Sequence, residues 1–300
     1  MIYEKLWRNE VLHQSEKLVE VYKEKLIALS LYDDAKNSDE YGKGAVGGKD
    51  EEVTHKHFSE RFLASSTRIQ YVLLNPNGEF DVISKDLQVT FSSGKISILD
   101  IPSGTGAGVL SLLCNIAEIR INSKLPRLPL YINIVGGDYS PSALKIYIEL
   151  LNDMKYYLEQ QLIFIEYKSI EWDATNILST KKLLDEWLND KTKYEEFYIL
   201  MSAFSGVKED KFKQFEESFK FIQNYTIDLV TTTIHIEPAS NDGKKFFKLI
   251  NRFMKIIEEW FEKEKAIRKE RFYWNDAIRE NPKAKSTVSI ELYKRKEING

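Results

Sequence analysis

The chain has 300 residues, of which 43% are hydrophobic and 12% aromatic, so it can bury a sizeable core. Its formal net charge of −3 argues against a protein built chiefly to bind a phosphate backbone, because that task needs clustered positive charge. The single cysteine, Cys114, excludes an intrachain disulfide and a cysteine zinc cluster. The first residues lack the apolar core of a signal peptide, and no apolar run approaches the roughly 20 residues of a membrane span. These features predict a cytoplasmic protein without a membrane partner.

The first third of the chain has two contrasting segments. Residues 3–31 carry apolar side chains at helical spacing, which predicts a helix that packs on the main domain, or else a cap over a site or a dimer contact. Residues 34–54 are rich in glycine and polar side chains, so we expect a mobile loop or lid. This loop is not a phosphate-binding P-loop, because Lys43 and Asp50 occupy the places of a required glycine and a Ser or Thr.

The chain therefore divides into two predicted parts. Residues 1–90 are expected to form an N-terminal helical extension with a flexible glycine-rich loop, and residues 91–300 the main domain. His55 and His57, beside the loop, are interpreted as surface residues. From residue 95 onward, short apolar runs alternate with helical patterns. This alternation predicts an α/β fold with a mostly parallel sheet and helices on both faces.

The predicted elements follow in chain order. Strands are expected at 95–101, 130–136, 162–167, 197–202 and 227–236, and helices at 106–122, 141–160, 178–189 and 209–223. A long helix is expected at 243–269, because apolar residues form one stripe there. The final strand, 288–292, is predicted to pair antiparallel with a strand near 271–274, because the break between them is too short for a crossover helix.

A glycine-rich turn after the first of these strands carries the strongest chemical signal. The segment Asp100-Ile101-Pro102-Ser103-Gly104-Thr105-Gly106 runs straight into a predicted helix. Glycine there lets the backbone approach a ligand closely, and a helix N-terminus offers unpaired N–H groups. The NAD fingerprint G-x-G-x-x-G requires a glycine at position 109, which is Val109 here. An acidic residue at Asp100 is also unfavourable beside a pyrophosphate. A cationic cofactor without phosphate suits this turn better.

The next two predicted strands also end in acidic residues. The second ends Gly136-Gly137-Asp138-Tyr139-Ser140-Pro141, where Ser140 and Pro141 are also typical of a helix N-cap and first turn. The third ends Glu171-Trp172-Asp173-Ala174, where Asp173 either contacts a ligand or caps the next helix. Three successive acids at the carboxyl edge of a parallel sheet lie where open α/β folds bind ligands.

These segments resemble class I S-adenosylmethionine-dependent methyltransferases. The segment from Asp100 to Gly106 resembles the family's acidic residue followed by G-x-G-x-G, with Pro102 in place of the first glycine. Residues 136–144 are similar to its G-x-D-x-S-x-x-x-L signature. The resemblance implies a Rossmann-like fold with a mostly parallel seven-stranded sheet, an antiparallel last strand and S-adenosylmethionine as cofactor.

The resemblance also implies roles for individual residues. Asp100 and the glycines would hold the methionine end of the cofactor, Asp138 the ribose hydroxyls and Asp173 the adenine amine. The residues expected to bind the cofactor are Asp100, Pro102, Ser103, Gly104, Thr105, Gly106, Asp138, Tyr139, Ser140, Asp173, Ala174, Ser202, Ala203 and Phe204. Within that set, residues 202–204 would line the acceptor side, and no metal is expected. Arg68 could pair with the cofactor's carboxylate.

The methyl acceptor is less defined. The loop after the fourth strand lacks both the Asn/Asp-Pro-Pro-aromatic and the Pro-Cys patterns, which argues against base methylation. His235 is the candidate catalytic base, or else a packed core histidine. A small-molecule or protein acceptor is favoured. The alternatives are a non-catalytic S-adenosylmethionine-binding scaffold, and an RNA methyltransferase that uses the basic stretches 265–269 and 294–296.

Overall fold

The computed structural model describes residues 4–38, 48–202, 209–238 and 261–295, without the side chains of 209–214, 261–270 and 295. The strands are β1 (Trp7–Arg8), β2 (Val11–Leu12), β3 (Gly94–Asp100), β4 (Leu130–Asp138), β5 (Ile163–Glu171), β6 (Glu196–Ser202), β7 (Thr231–Glu237), β8 (Phe261–Asp276) and β9 (Asn281–Arg295). The helices are α1 (Glu16–Ala28), α2 (Tyr32–Asn37), α3 (Glu51–Leu74), α4 (Asp81–Thr90), α5 (Ala107–Ile121), α6 (Pro141–Glu159), α7 (Ile177–Trp187) and α8 (Glu209–Tyr225).

The described strands form one mixed sheet in the order β1-β2-β8-β9-β7-β6-β3-β4-β5. The five strands from β3 to β7 are mutually parallel, and β9 runs antiparallel to both β7 and β8. The α/β class, the parallel centre and the antiparallel last strand are thus confirmed. The pairing of the last strand is confirmed too, because Phe272 lies opposite Ser286 and Trp274 opposite Ala284.

The prediction of seven strands is wrong, because the described sheet has nine. The two additional strands, β1 and β2, form a hairpin whose second strand pairs parallel with β8. Asn9 and Glu10 between them both have positive φ, of 51° and 60°, which suits a two-residue hairpin turn. The predicted helix over 3–31 is therefore confirmed only in its second half, as α1.

Two other predicted segments differ from the structure. Residues 261–269 form part of strand β8 rather than the end of a helix, and 243–260 lie outside the described residues. Pairing with β9 along most of β8 overrides the helical propensity of that charged run. The expected loop at 34–54 is helical at both ends, in α2 and at the start of α3, and 39–47 lie outside the described residues. Strand β7 begins at Thr231 rather than at residue 227.

Helices cover both faces of the sheet because alternate residues of each strand point to opposite sides. On β3, Ile96 and Ile98 join the core beneath α3, α5 and α6, while Leu99 joins a second core beneath α7 and α8. The first of these cores also contains residues from α1 to α4, so the first 90 residues share it with the sheet. The boundary at residue 90 remains a prediction. Among the described helices, none combines the length and apolar character that a membrane crossing requires.

The strand order fixes where a ligand crevice can open. From β3 the chain moves outward to β4 and β5, then returns to place β6 on the other side of β3. Helices therefore leave β3 and β6 on opposite faces, and the carboxyl ends of these two strands flank a topological switch point. Ligands of open α/β sheets bind at this position.

Candidate functional site

The turn after β3 is built from two glycines in left-handed conformations. Gly104 has φ +52° and Gly106, the N-cap of α5, has φ +90°. A Cβ on Gly106 would come within 2.7 Å of the Tyr147 ring, so this glycine is required for packing. A Cβ on Gly104 would meet nothing within 4 Å. The backbone at Gly104 is therefore open, and a ligand can approach it closely.

Asp138 ties this turn to the end of β4. Its Oδ2 accepts a hydrogen bond from the Gly104 N–H at 2.8 Å, and its Oδ1 accepts one from the Ser140 N–H at 2.9 Å. A carboxylate has about four acceptor positions, so it can accept from further donors. Burial raises the pKa of Asp138, and the backbone N–H groups of Ser140 and Gly104 oppose that shift. Asp138 thus both shapes the turn and retains acceptor capacity beside it.

Asp100 is the last residue of β3, directly before the turn, and is only 1% exposed. Within the described part of the chain, neither of its carboxyl oxygens has a partner at full hydrogen-bond geometry, and the Tyr147 hydroxyl is the nearby donor. Burial raises the pKa of Asp100 to about 8, the Tyr147 hydroxyl opposes that shift, and the charge of Asp138 adds to it. The carboxyl is therefore mostly neutral at pH 7, and a nearby cation would favour its ionised form.

The end of β5 contributes Asp173, which is partly buried. Its Oδ1 accepts hydrogen bonds from the backbone N–H of Thr175 at 2.9 Å and from its hydroxyl at 2.7 Å. Asn176, not Asp173, caps α7, because its side chain accepts from Leu178 and Ser179. The interpretation of Asp173 as the helix cap is therefore wrong, and its role toward a ligand remains a prediction.

The structure brings most of the predicted site residues to one edge of the sheet. Pro102, Ser103 and Thr105 belong to the turn itself, whose Ser103 N–H donates to the Gly137 carbonyl at 2.9 Å. Beyond β4, Tyr139 is 48% exposed whereas Ser140 is buried. Ala174 lies just after β5, and Ser202 is the last residue of β6. The predicted cofactor residues Ala203 and Phe204 lie outside the described residues.

His235 lies within β7 and is fully buried. Its Nε2 is 3.3 Å from Oε1 of Glu237, which is also fully buried on the same strand. In register, His235 lies beside Met201 of β6, one residue before Ser202. Its role as a general base remains a prediction.

The start of α3 also borders the site, which sequence reasoning missed. The Thr54 and Ser140 hydroxyls lie 2.9 Å apart. Lys49 forms an ion pair with Glu171 at 2.9 Å, and its Nζ lies 4.2 Å from the centre of the Tyr139 ring. These contacts join residues 86 or more positions apart in sequence, so no local motif could indicate them. Among the described residues, no cluster of three His, Cys, Asp or Glu side chains could hold a metal ion.

No protein-family model and no curated protein matches this chain. Many solved structures resemble it, and several are class I S-adenosylmethionine-dependent methyltransferases. One is a candidate enzyme of this class from Listeria monocytogenes, with 12% identity over 95% of this chain and 89% of that one, at a TM-score of 0.40. Another is loganic acid methyltransferase solved with S-adenosylhomocysteine, with 8% identity over 84% of this chain and 98% of that one, at a TM-score of 0.42.

A third is geranyl diphosphate C-methyltransferase from Streptomyces coelicolor, with 8% identity over 92% of this chain and 98% of that one, at a TM-score of 0.34. At such identities and TM-scores, the function has to be inferred from the residues of the site itself.

Proposed function

We propose that this protein binds S-adenosylmethionine at the carboxyl edge of β3 and β4 and transfers its methyl group to a small-molecule or protein acceptor. The observation that carries this proposal is the open backbone of Gly104, which donates to the Asp138 carboxylate in a turn that begins at the buried carboxyl of Asp100. A backbone that a ligand can approach and two acids beside it favour a cationic ligand over a phosphate.

The electrostatics of the turn support this preference. A phosphate at the N-terminus of α5 would lie beside the Asp138 carboxylate, which would repel it, and the buried Asp100 carboxyl would gain nothing from an anion. S-adenosylmethionine carries a sulfonium and an ammonium group, and either cation would stabilise ionised Asp100. Ribose hydroxyls are donors that fit the free acceptor positions of Asp138. These residues therefore fit the cofactor that the sequence motifs imply.

The bound cofactor would supply a methyl group on a good leaving group, so displacement by an acceptor needs chiefly alignment of the two. In this proposal, Asp138 orients the ribose and the turn from Pro102 to Gly106 orients the methionine end. Asp173 and Ala174 border the adenine, and Ser202 lies on the acceptor side. His235 would act only if the acceptor must lose a proton.

The ribose assignment is tested by calorimetric titration of two ligands into two proteins. The ligands are S-adenosylhomocysteine and its 2′-deoxy analogue, and the proteins are the wild type and Asp138→Asn. We expect the variant to bind S-adenosylhomocysteine at least tenfold more weakly, because a charged acceptor of the ribose hydroxyls is lost. Loss of the 2′-hydroxyl should weaken binding severalfold in the wild type but less than twofold in the variant.

The crossed design is needed because Asp138 also holds Gly104 and Ser140. A change that only disturbs the turn would weaken both ligands equally in the variant and leave the effect of the hydroxyl intact. That outcome, or equal binding of S-adenosylhomocysteine by both proteins, would refute the ribose assignment. Absence of binding to the wild type would refute the proposed function.

A further inference from the structure

A stripe of polar side chains runs along one side of α3. His57, Arg61, Ser65 and Arg68 follow at spacings of four, four and three residues, so they lie on one face of the helix. All four are partly buried, whereas most other residues from Phe58 to Leu74 are fully buried. We call these four residues the α3 stripe. Its partial exposure on a helix that otherwise packs in the core sets it apart from an ordinary solvated surface.

Contacts of Arg68 show where the α3 stripe lies. Its Nε donates to the Thr287 carbonyl of β9 at 3.3 Å, and its Nη1 donates to the Ser65 hydroxyl at 3.2 Å. Glu237, at the carboxyl end of β7, is close enough to raise the pKa of the Arg68 guanidinium against the larger lowering effect of burial. The stripe therefore faces the carboxyl edge of the sheet near β7.

This position is offset from the predicted cofactor site. Strand β7 is separated from β3 by β6, and neighbouring strands lie about 4.8 Å apart, so the offset from the glycine turn is about 10 Å. It lies on the side of Ser202, which pairs in register with Ile236. The α3 stripe thus borders the side of the crevice that is predicted for the acceptor.

The positive charges of the stripe are incompletely compensated. Within the described residues Arg61 forms no ion pair, and its buried Nε has no hydrogen-bond partner. The adjacent Glu60 lies 4.0 Å from Lys56, and its charge opposes only part of the lowering that burial causes in the pKa of Arg61. A buried Nε without an acceptor is costly, because this N–H has lost water without gaining a hydrogen bond. An anionic ligand would supply that acceptor.

We propose that Arg61 and Arg68 bind a carboxylate group of the methyl acceptor, an inference that rests on the proposed methyl transfer. The acceptor is then a small organic acid whose carboxylate anchors it, while another atom receives the methyl group. The planar guanidinium fork matches a carboxylate in two parallel hydrogen bonds.

The charge balance favours a monoanion over a phosphate dianion. Glu237 acts on Arg68, and Glu60 acts on both Arg61 and Lys56, so these two acids and three cations leave one net positive charge. Burial, with the charges of both arginines, lowers the pKa of His57 to about 4, so this imidazole is neutral at pH 7. A carboxylate leaves the cluster neutral, whereas a dianion would leave a buried excess negative charge.

The test is a titration of the full-length protein with acetate, benzoate and hexanoate, and with the corresponding neutral amides. NMR of the His57 ring reports binding, because an anion between the arginines would raise the pKa of this histidine. We expect at least one carboxylate to bind and its amide not to bind. Binding should weaken at least tenfold in Arg61→Gln and in Arg68→Gln. Arg127→Gln is the matched control, because Arg127 is exposed and precedes the amino end of β4.

Three outcomes would overturn this proposal. They are the binding of no carboxylate, equal binding by the arginine variants and the wild type, and tenfold tighter binding of phenyl phosphate than of benzoate. The affinity for S-adenosylhomocysteine should be the same in all variants. Weaker binding of S-adenosylhomocysteine by Arg68→Gln alone would assign Arg68 to the cofactor's own carboxylate instead. If the wild type fails to bind S-adenosylhomocysteine, the proposed function fails while the carboxylate titration is still readable. Melting temperatures verify that each variant is folded.

Discussion

Replacement of Gly104 by alanine separates a role in ligand binding from a role in folding. Gly104 has φ +52°, and the added methyl group would meet no protein atom within 4 Å. The substitution therefore causes backbone strain without a clash. If the cofactor lies against this backbone, the methyl group occupies part of the cofactor's space.

The expected loss of stability is small. An L-residue in the left-handed region costs about 1–2 kcal/mol, and the loss of unfolded-state freedom on replacing glycine returns about 0.4–1 kcal/mol. The net loss is about 1 kcal/mol, or about 2–4 °C in melting temperature for a domain of this size. The affinity for S-adenosylhomocysteine should fall at least tenfold, which corresponds to about 1.4 kcal/mol.

Gly78→Ala provides the matched control. Gly78 lies between α3 and α4 with φ +72°, and a Cβ there would come no closer than 3.9 Å to Asp81. Calorimetric unfolding should show similar losses for both variants, while isothermal titration should show weakened binding only for Gly104→Ala. Equal affinities for S-adenosylhomocysteine in both variants would refute the contact between the cofactor and this turn.

The remaining predictions concern Asp100, the N-cap of α7 and Asp173. The pKa of Asp100 rises from 3.8 to about 8, so its stabilising contribution is full below pH 4 and is lost as the pH rises toward 8. Asp100→Asn should therefore gain stability relative to the wild type as denaturant titrations move from pH 4 to 8, and a constant difference would contradict the buried, protonated state. In the wild type, affinity for S-adenosylmethionine should rise over the same range, with a flatter profile in Asp100→Asn. Asn176→Ala should lower stability by about 1 kcal/mol, because α7 loses its N-cap, with cofactor affinity unchanged. Asp173→Ala should weaken cofactor binding as well as lower stability, because its carboxylate also accepts hydrogen bonds from Thr175.

The sequence was sufficient for the parallel centre of the sheet. Between β3 and α6, apolar runs, a glycine turn and the Ser140-Pro141 helix start are all local signals, and the elements began within one residue of the predicted positions. The final antiparallel strand followed from the short break before it. These features depend on near neighbours in the chain, which is why pattern and spacing predict them.

Other features depend on distant contacts. Strand β8 has a charged, helix-like sequence and is extended because β9 pairs with it. The hairpin of β1 and β2 has only two residues in each strand, too few for a periodic signal. The burial of Asp100 could not be predicted either, because it depends on distant contacts such as the Tyr147 ring of α6, which packs against Gly106 and Gly136. His55 and His57 were expected on the surface and are partly buried, since α3 packs against α5, β7 and β9.

The most direct test of the whole account is a crystal structure of the protein grown with S-adenosylhomocysteine. We predict electron density for the ligand along the carboxyl edge of β3 and β4. Its ribose hydroxyls should lie within hydrogen-bond distance of Asp138, and its amino-acid end should lie against Gly104. Density elsewhere, or an Asp138 that contacts only Gly104 and Ser140 in crystals saturated with ligand, would contradict it.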